Sequence, residues 1–311
     1  MTAVRLRRAA ADGRGFAIAL FAVLTVFVYV DGRLSMALLD YVPSTEQLPI
    51  PAWLEAYSRF DSGWYHSIAE NGYFYAGRDR QSSVAFFPAY PAAMRVVGTL
   101  LFGQLAVGGI VVTLLSGLGA AVLFFRWVSA FLGTATARLG LALLLCYPFA
   151  FYLFGVIYSD ALFLLAVLGA FCLLERDRPV LAALVGVVAT AGRPVGVALV
   201  VGLFVRGLEI HGVLPGSKPA ALVAGHAAPS DPIRVPGGAR VPLLPTRPAL
   251  RELRARDFAP ALSLLGLAAF AALLWVRFGD PLAFSKVSSA PGWGKAFDVE
   301  SLLKLHLFRL L

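Results

Sequence analysis

Between Phe60 and Tyr73 the chain reads FDSGWYHSIAENGY, and most of its concentrated polar chemistry sits there. Two acids (Asp61 and Glu70), an imidazole (His66), an amide (Asn71) and several aromatic rings share this short stretch. A carboxylate in such a setting can act as a general base toward an attacking hydroxyl. Asp61 can equally cap a helix starting at Ser62, because Asp accepts from the free N–H groups of a first turn. Residue type and position leave both roles open. His66 and Glu70 stand four residues apart, so they can position a substrate or tune Asp61, or simply form a solvated pair on one helix face. Trp64, Tyr65, Tyr73 and Tyr75 can stack on a flat ligand or form an aromatic belt at a membrane interface. Further along, Asp160 in Tyr158-Ser159-Asp160 is either a second acid or the cap of the helix that follows.

The rest of the chain looks unlike a soluble domain. Hydrophobic residues make up 59% of it and charged residues only 14%, against roughly 45–50% and 25% in soluble proteins. Mean hydropathy is +0.77. Several runs approach the ~20 apolar residues that cross a bilayer, which points to an all-α, multi-pass membrane protein. The net charge of +9 is not read as nucleic-acid binding, because the basic residues gather in segments that would face the cytoplasm. Cys146 and Cys172 lie within apolar segments and read as small buried hydrophobes. No His/Cys/Asp cluster has metal-ligand spacing, and no glycine-rich phosphate loop follows a strand, so neither a cofactor nor a metal is expected. The abundance of Arg, Ala and Gly suggests a bacterial chain.

Arg5, Arg7, Arg8 and Arg14 precede the first apolar run, Gly15 to Val30, which sets the N-terminus inside and sends the first helix outward. That run meets Asp31, Gly32 and Arg33 without a signal-peptide cleavage pattern. Residues 31–101 are too polar to cross and form a large first external loop, irregular at Pro43, Pro49 and Pro51. Two short amphipathic helices are expected in it. The first starts at Asp61 or Ser62 and ends at Asn71-Gly72, with Trp64, Tyr65, Ile68 and Ala69 on the face that lies in the headgroups. The second sets Phe86, Phe87, Tyr90, Met94 and Val97 at helical spacing, with Pro88 in its first turn.

Gly103 to Phe125 then runs inward, Leu139 to Gly155 outward and Ile157 to Leu174 inward. Val180 to Val205 is either one span with Arg193 inside it or a hairpin turning at Gly192-Arg193-Pro194. A single span would bury a lone Arg, at a cost of at least about 2.5 kcal/mol. It would also carry the basic stretch 206–257 outside, so the hairpin is expected. Residues 211–250, rich in Pro, Gly and Ala, read as a flexible cytoplasmic loop. Phe258 to Val276 returns outward to GDPLAFSKVSSAPGWGKAFD, and Val299 to Leu311 starts another helix. This topology puts 16 of the 27 Lys and Arg residues inside.

FDSGWYHSIAENGY, SVAFFPAYPAAMR (83–95), YSDALF (158–163), AGRPVG (191–196), GDPLAF (279–284) and Gly292-Trp293 occur in that order. The set resembles bacterial relatives of GPI mannosyltransferase II, the PIG-V-like mannosyltransferases of the GT-C superfamily. The resemblance implies a single GT-C-type helical bundle over 1–311, whose first external loop carries interfacial helices and an essential acid, here Asp61. It implies mannose transfer with inversion from a polyprenyl-phosphate carrier to an extracytoplasmic glycan, glycolipid or protein, in the plasma membrane. Family members continue through further membrane helices, so the chain reads as shortened or truncated at its C-terminus.

Such a transfer needs a base for the acceptor hydroxyl but no strict general acid, since phosphate already leaves well. The departing phosphate needs cations or N–H donors. Arg193 is the first candidate, Lys286 the second, with Arg59, Arg78 and Arg80 behind them; each can also be a headgroup contact. Two other classes compete. A transporter or flippase predicts ionisable groups near the midplane and internal repeats; here the polar residues lie in loops and no repeat is found. A non-catalytic subunit of a glycosylation complex predicts transfer that survives loss of Asp61.

Overall fold

In hydrocarbon, backbone N–H and C=O groups must be satisfied within their own segment, which favours helices for a chain this apolar. A computed structural model describes residues 3–38, 48–211, 213–214, 254–291 and 293, with backbone alone over 3–12. Among the described residues every regular element is helical. Of these residues, three stretches are long and apolar enough to cross a membrane: Gly13–Leu38, Leu105–Leu145 and Ala255–Phe278.

Helix α1 (Ala3–Leu38) runs eight residues past the expected end at Val30. The passage into this extension is held from outside: just before it Tyr29 Oη donates to the Trp53 carbonyl (2.9 Å), and within it Arg33 Nη1 donates to the Ala52 carbonyl (2.7 Å). The two short loop helices are present as α2 (Ser62–Asn71) and α3 (Ala89–Leu100). Gly72, at φ 82°, turns the chain out of α2 in a conformation that suits glycine. Pro88 directly precedes α3, so Phe86 and Phe87 lie before the helix rather than on its face.

The apolar faces of these helices turn into the protein instead of the headgroups. Tyr65, Ile68 and Ala69 are buried, and Tyr90 and Met94 are fully so. On α3, Gly98 meets Gly108 of α4 (Leu105–Leu145); a Cβ on Gly108 would sit 2.5 Å from the Gly98 nitrogen. Only a glycine pair allows that approach. With its hydroxyl shared between the Gly109 carbonyl and Thr113, Tyr90 is satisfied inside the core.

Helix α4 covers what the sequence suggested were two spans, with one break at Gly133 (φ 82°, ψ 167°). Its outward limb stops at Leu145, short of the expected Gly155, because Pro148 cannot donate and restricts Tyr147. A tight turn (Pro148–Leu153) follows. Cys146, exposed at the end of α4, is not the buried hydrophobe expected, whereas Cys172 is half-buried; both are free thiols.

Helices α5 (Asp160–Leu174), α6 (Pro179–Thr190) and α7 (Val197–Ile210) follow. The expected hairpin is there, α6 and α7 meeting through Gly192-Arg193-Pro194. Most of loop 211–250 and all of 299–311 lie outside the described residues. The last span is a tight helical segment (Ala255–Leu264) containing Pro260, continued by α8 (Leu265–Phe278) and closed by Gly279 in the left-handed region. Short α9 (Ala283–Lys286) packs back beside Ser83–Ala85.

This path sorts charge by end. Asp61, Tyr158, Asp160 and the 192–194 turn share one end. Arg206, Glu175, Asp177, Arg256 and Asp257 gather at the other, joined by ion pairs. Helix α5, about 22 Å long at ~1.5 Å per residue, separates them.

Candidate active site

The site begins with a clamped strip of chain, Val156–Ser159. The Val156 carbonyl accepts from Thr113 Oγ1 (2.9 Å), and the Ile157 N–H donates to the Tyr57 carbonyl (3.1 Å). Ser62 Oγ reaches the Ile157 carbonyl (3.2 Å), and the Tyr65 and Ser159 hydroxyls are 3.0 Å apart. Gly155, at φ 108°, faces the Tyr57 ring so closely that a Cβ would stand 2.7 Å from it. The start of α2 and the approach to α5 are thereby fixed against each other.

That fixation sets Tyr158 over Asp61, and Tyr158 Oη donates a short hydrogen bond to Asp61 Oδ2. Asp61 precedes α2, yet its side chain makes no capping bond to the helix. Its carboxylate is half-buried and turned to Tyr158. Burial, reinforced by the Asp61 carboxylate, raises the Tyr158 pKa well above the usual phenol range, so it stays a neutral donor. Tyr65 is pushed up to about 12, chiefly by burial, against a hydrogen bond to Ser159 that lowers it.

Asp160 does not cap α5 either. Its Oδ1 accepts from Arg193 Nη1 at 2.7 Å, while Oδ2 is buried with no hydrogen bond among the described residues. Arg193 reaches it from the hairpin tip, where the Ala89 N–H donates to the Ala191 carbonyl (2.9 Å) and docks the tip on the start of α3. Asp61, Asp160 and Arg193 all act electrostatically on Tyr65 and Tyr152, so they form one charged group. Four of the expected residues therefore converge: Asp61, Tyr65, Asp160 and Arg193.

The others go elsewhere. Lys286 pairs with Asp280 (2.8 Å), holding that half-buried carboxyl below its usual range. Arg78 and Arg80 sit in an exposed turn, with Arg78 Nε 3.6 Å from Asp79. Arg59 lies in the turn before the acid, its Nη1 donating to the Ser58 carbonyl (3.1 Å). His66 is buried with Nδ1 3.7 Å from exposed Glu70, and Asn71 Nδ2 reaches the same Glu70 oxygen (3.5 Å). Trp64 stacks with Phe74 and Phe86 and meets Trp293 at a tilt. Tyr73 donates to the Phe86 carbonyl and packs on Phe270, and Tyr75 packs on Phe278. These three rings are packing residues rather than an interfacial belt.

Sequence reasoning passed over Tyr158 and Tyr152. Tyr158 was visible beside Asp160 in the YSDALF motif, but nothing local marks it as the partner of an acid 97 residues earlier.

A family profile, Mannosyltransferase (PIG-V), matches residues 19–209. The chain belongs to the PIG-V mannosyltransferase family. It is thus a glycosyltransferase that moves mannosyl groups, built as a helical membrane protein. The match takes in Asp61, Tyr158, Asp160 and Arg193, the whole charged group of this PIG-V-family chain, and stops before Asp280, Lys286 and Trp293. No curated protein and no solved structure matches the chain.

Proposed function

We propose that the chain transfers mannose from a polyprenyl-phosphate carrier to an acceptor hydroxyl with inversion, and that Asp61 is the base. The observation that carries this reading is the Asp61 carboxylate itself. It leaves its helix uncapped, is aimed by the Tyr158 hydroxyl, and stands in one group with the Asp160–Arg193 pair.

Asp61 takes the acceptor O–H proton as that oxygen attacks the anomeric carbon from the face opposite the phosphate. The bond from the anomeric carbon to the phosphate oxygen breaks, and its electron pair leaves with the polyprenyl phosphate. Arg193 stabilises the charge that develops there. Asp160 keeps the guanidinium at the hairpin tip and leaves its other N–H groups for phosphate, a planar fork well suited to that ligand. The carrier's lipid tail suits a chain with exposed apolar faces such as Val23, Val26 and Phe27 on α1.

We further assign a GT-C-type bundle in the plasma membrane with the N-terminus cytoplasmic and Asp61 on the opposite side. What supports that orientation is the gathering of Arg14, Arg126 and Arg176 at the end away from Asp61. The test is Asp61→Asn in membranes supplied with polyprenyl-phosphate mannose and cell-envelope acceptors. The variant is expected to insert and fold normally and to lose mannosyl transfer. Transfer at the parent rate would remove Asp61 as the base and favour a non-catalytic subunit.

A further inference from the structure

Phe60, immediately before the acid, is strained and exposed together. Its φ is +54°, a region that bulky residues rarely occupy. The Ser62 N–H donates to the Arg59 carbonyl (3.1 Å), closing a four-residue turn, and Asp61 in it has φ −81° and ψ 13°. Those φ angles are those of a type II′ turn, whose second position normally takes glycine. Burial does not offset the strain, because Phe60 is 67% exposed. Phe102 shares both features, at φ +58° and 96% exposed, so strain and exposure do not alone mark a site; Phe60 differs in what its ring stands against.

The ring is not left at random. It stands 5.8 Å from the Phe151 ring and 5.7 Å from that of Tyr152. Tyr152 in turn lies 4.5 Å from Tyr158, the residue that donates to Asp61. An aromatic shelf therefore runs from an exposed edge at Phe60 to the hydroxyl that holds the carboxylate. Unlike Trp64, Tyr73 and Tyr75, Phe60 keeps most of its surface open beside the acid.

We propose that Phe60, with Tyr152 behind it, is the stacking platform for a pyranose ring of the acceptor, orienting one sugar hydroxyl toward Asp61. The apolar C–H face of a pyranose matches an aromatic face, and an adjacent carboxylate accepts from the hydroxyls at its rim. Phe60 is thus a positioning residue that selects a sugar acceptor over a peptide hydroxyl. The assignment rests on Asp61 being the base, and its test separates the two.

The full chain in nanodiscs is examined by saturation-transfer NMR with methyl α-D-mannopyranoside, and with N-acetylthreonine amide as the non-sugar hydroxyl. The parent is expected to transfer saturation to the sugar ring protons and not to the threonine. Phe60→Gly is expected to weaken sugar binding about tenfold, the size of one aromatic stacking contact. Because glycine relieves the turn, its Tm should equal or exceed the parent's. Phe60→Trp should keep binding, and Asp61→Asn should keep binding while losing transfer. Sugar binding by Phe60→Gly equal to the parent's, a lowered Tm in that variant, or no sugar signal from the parent would each overturn the platform. Unchanged transfer by Asp61→Asn would instead overturn the base and leave the binding result to decide the platform.

Discussion

The two ends of the bundle handle charge in opposite ways. At the end holding Arg206, the guanidinium donates to both oxygens of Glu175 (2.6 and 3.2 Å) and to Glu209 (2.6 Å), and it also faces the Phe131 ring. Arg256 adds a two-oxygen pair to Asp177, and His211 stands 3.2 Å from Asp257. That end is closed upon itself, each carboxylate met by a cation. At the Asp61 end, one carboxylate is met by a neutral phenol, and the other gives a single oxygen to Arg193 and keeps Oδ2 buried without a hydrogen bond among the described residues. Satisfied networks rigidify a fold, whereas incomplete ones are costly to keep for structure alone. The first end ties α5 to α7 and the 254–257 segment, and the second leaves acceptor capacity that the proposed transfer would use.

Substitutions at the two ends should separate activity from stability. The largest effect is expected from Asp61→Asn: mannosyl transfer down about 10³-fold, roughly 4 kcal/mol in the barrier, with the Tm in detergent unchanged. The mirror image is Arg206→Met, which leaves Glu175 without its partner. It should lower stability by about 3 kcal/mol while transfer per folded molecule stays at the parent rate, as read by thermal unfolding beside a transfer assay. If Arg206→Met instead abolished transfer in folded protein, the contrast between the ends would collapse. Tyr158→Phe removes the donor and keeps the ring; transfer should fall about tenfold with donor and acceptor KM unchanged. Smallest is Lys286→Ala, whose pair with Asp280 lies at the surface, so Tm should be unchanged and transfer should stay within about twofold. A large loss there would bring Lys286 back to the phosphate.

Parts of this layout were legible in the chain. The bounds of α2 follow from Asp61-Ser62 at one end and Asn71-Gly72 at the other, because capping residues and glycine act within a single turn. The hairpin at Gly192-Arg193-Pro194 followed from the cost of burying Arg193 and from the basic stretch after it. The unbroken passage of α4 past Arg126 to Gly133 was not legible, since one exposed Arg need not end a helix whose other side is packed. Nor was the inward turn of Tyr65 and Ile68, since an amphipathic pattern fits a lipid surface and a neighbouring helix equally well. The helical capping reading of Asp61 and Asp160 was reasonable by residue type, but partners elsewhere in the chain won both carboxylates.

Composition and periodicity, then, determined by themselves that this is a helical membrane protein and where its short loop helix lies, because hydropathy and backbone propensity act among near neighbours. Tertiary structure alone decided that Tyr158 serves Asp61, that Arg193 goes to Asp160, and that Phe60 rather than Trp64 stays open. Those outcomes depend on where the ends of distant helices meet. Hydrogen bonds and ion pairs between such ends leave no periodic trace in the sequence.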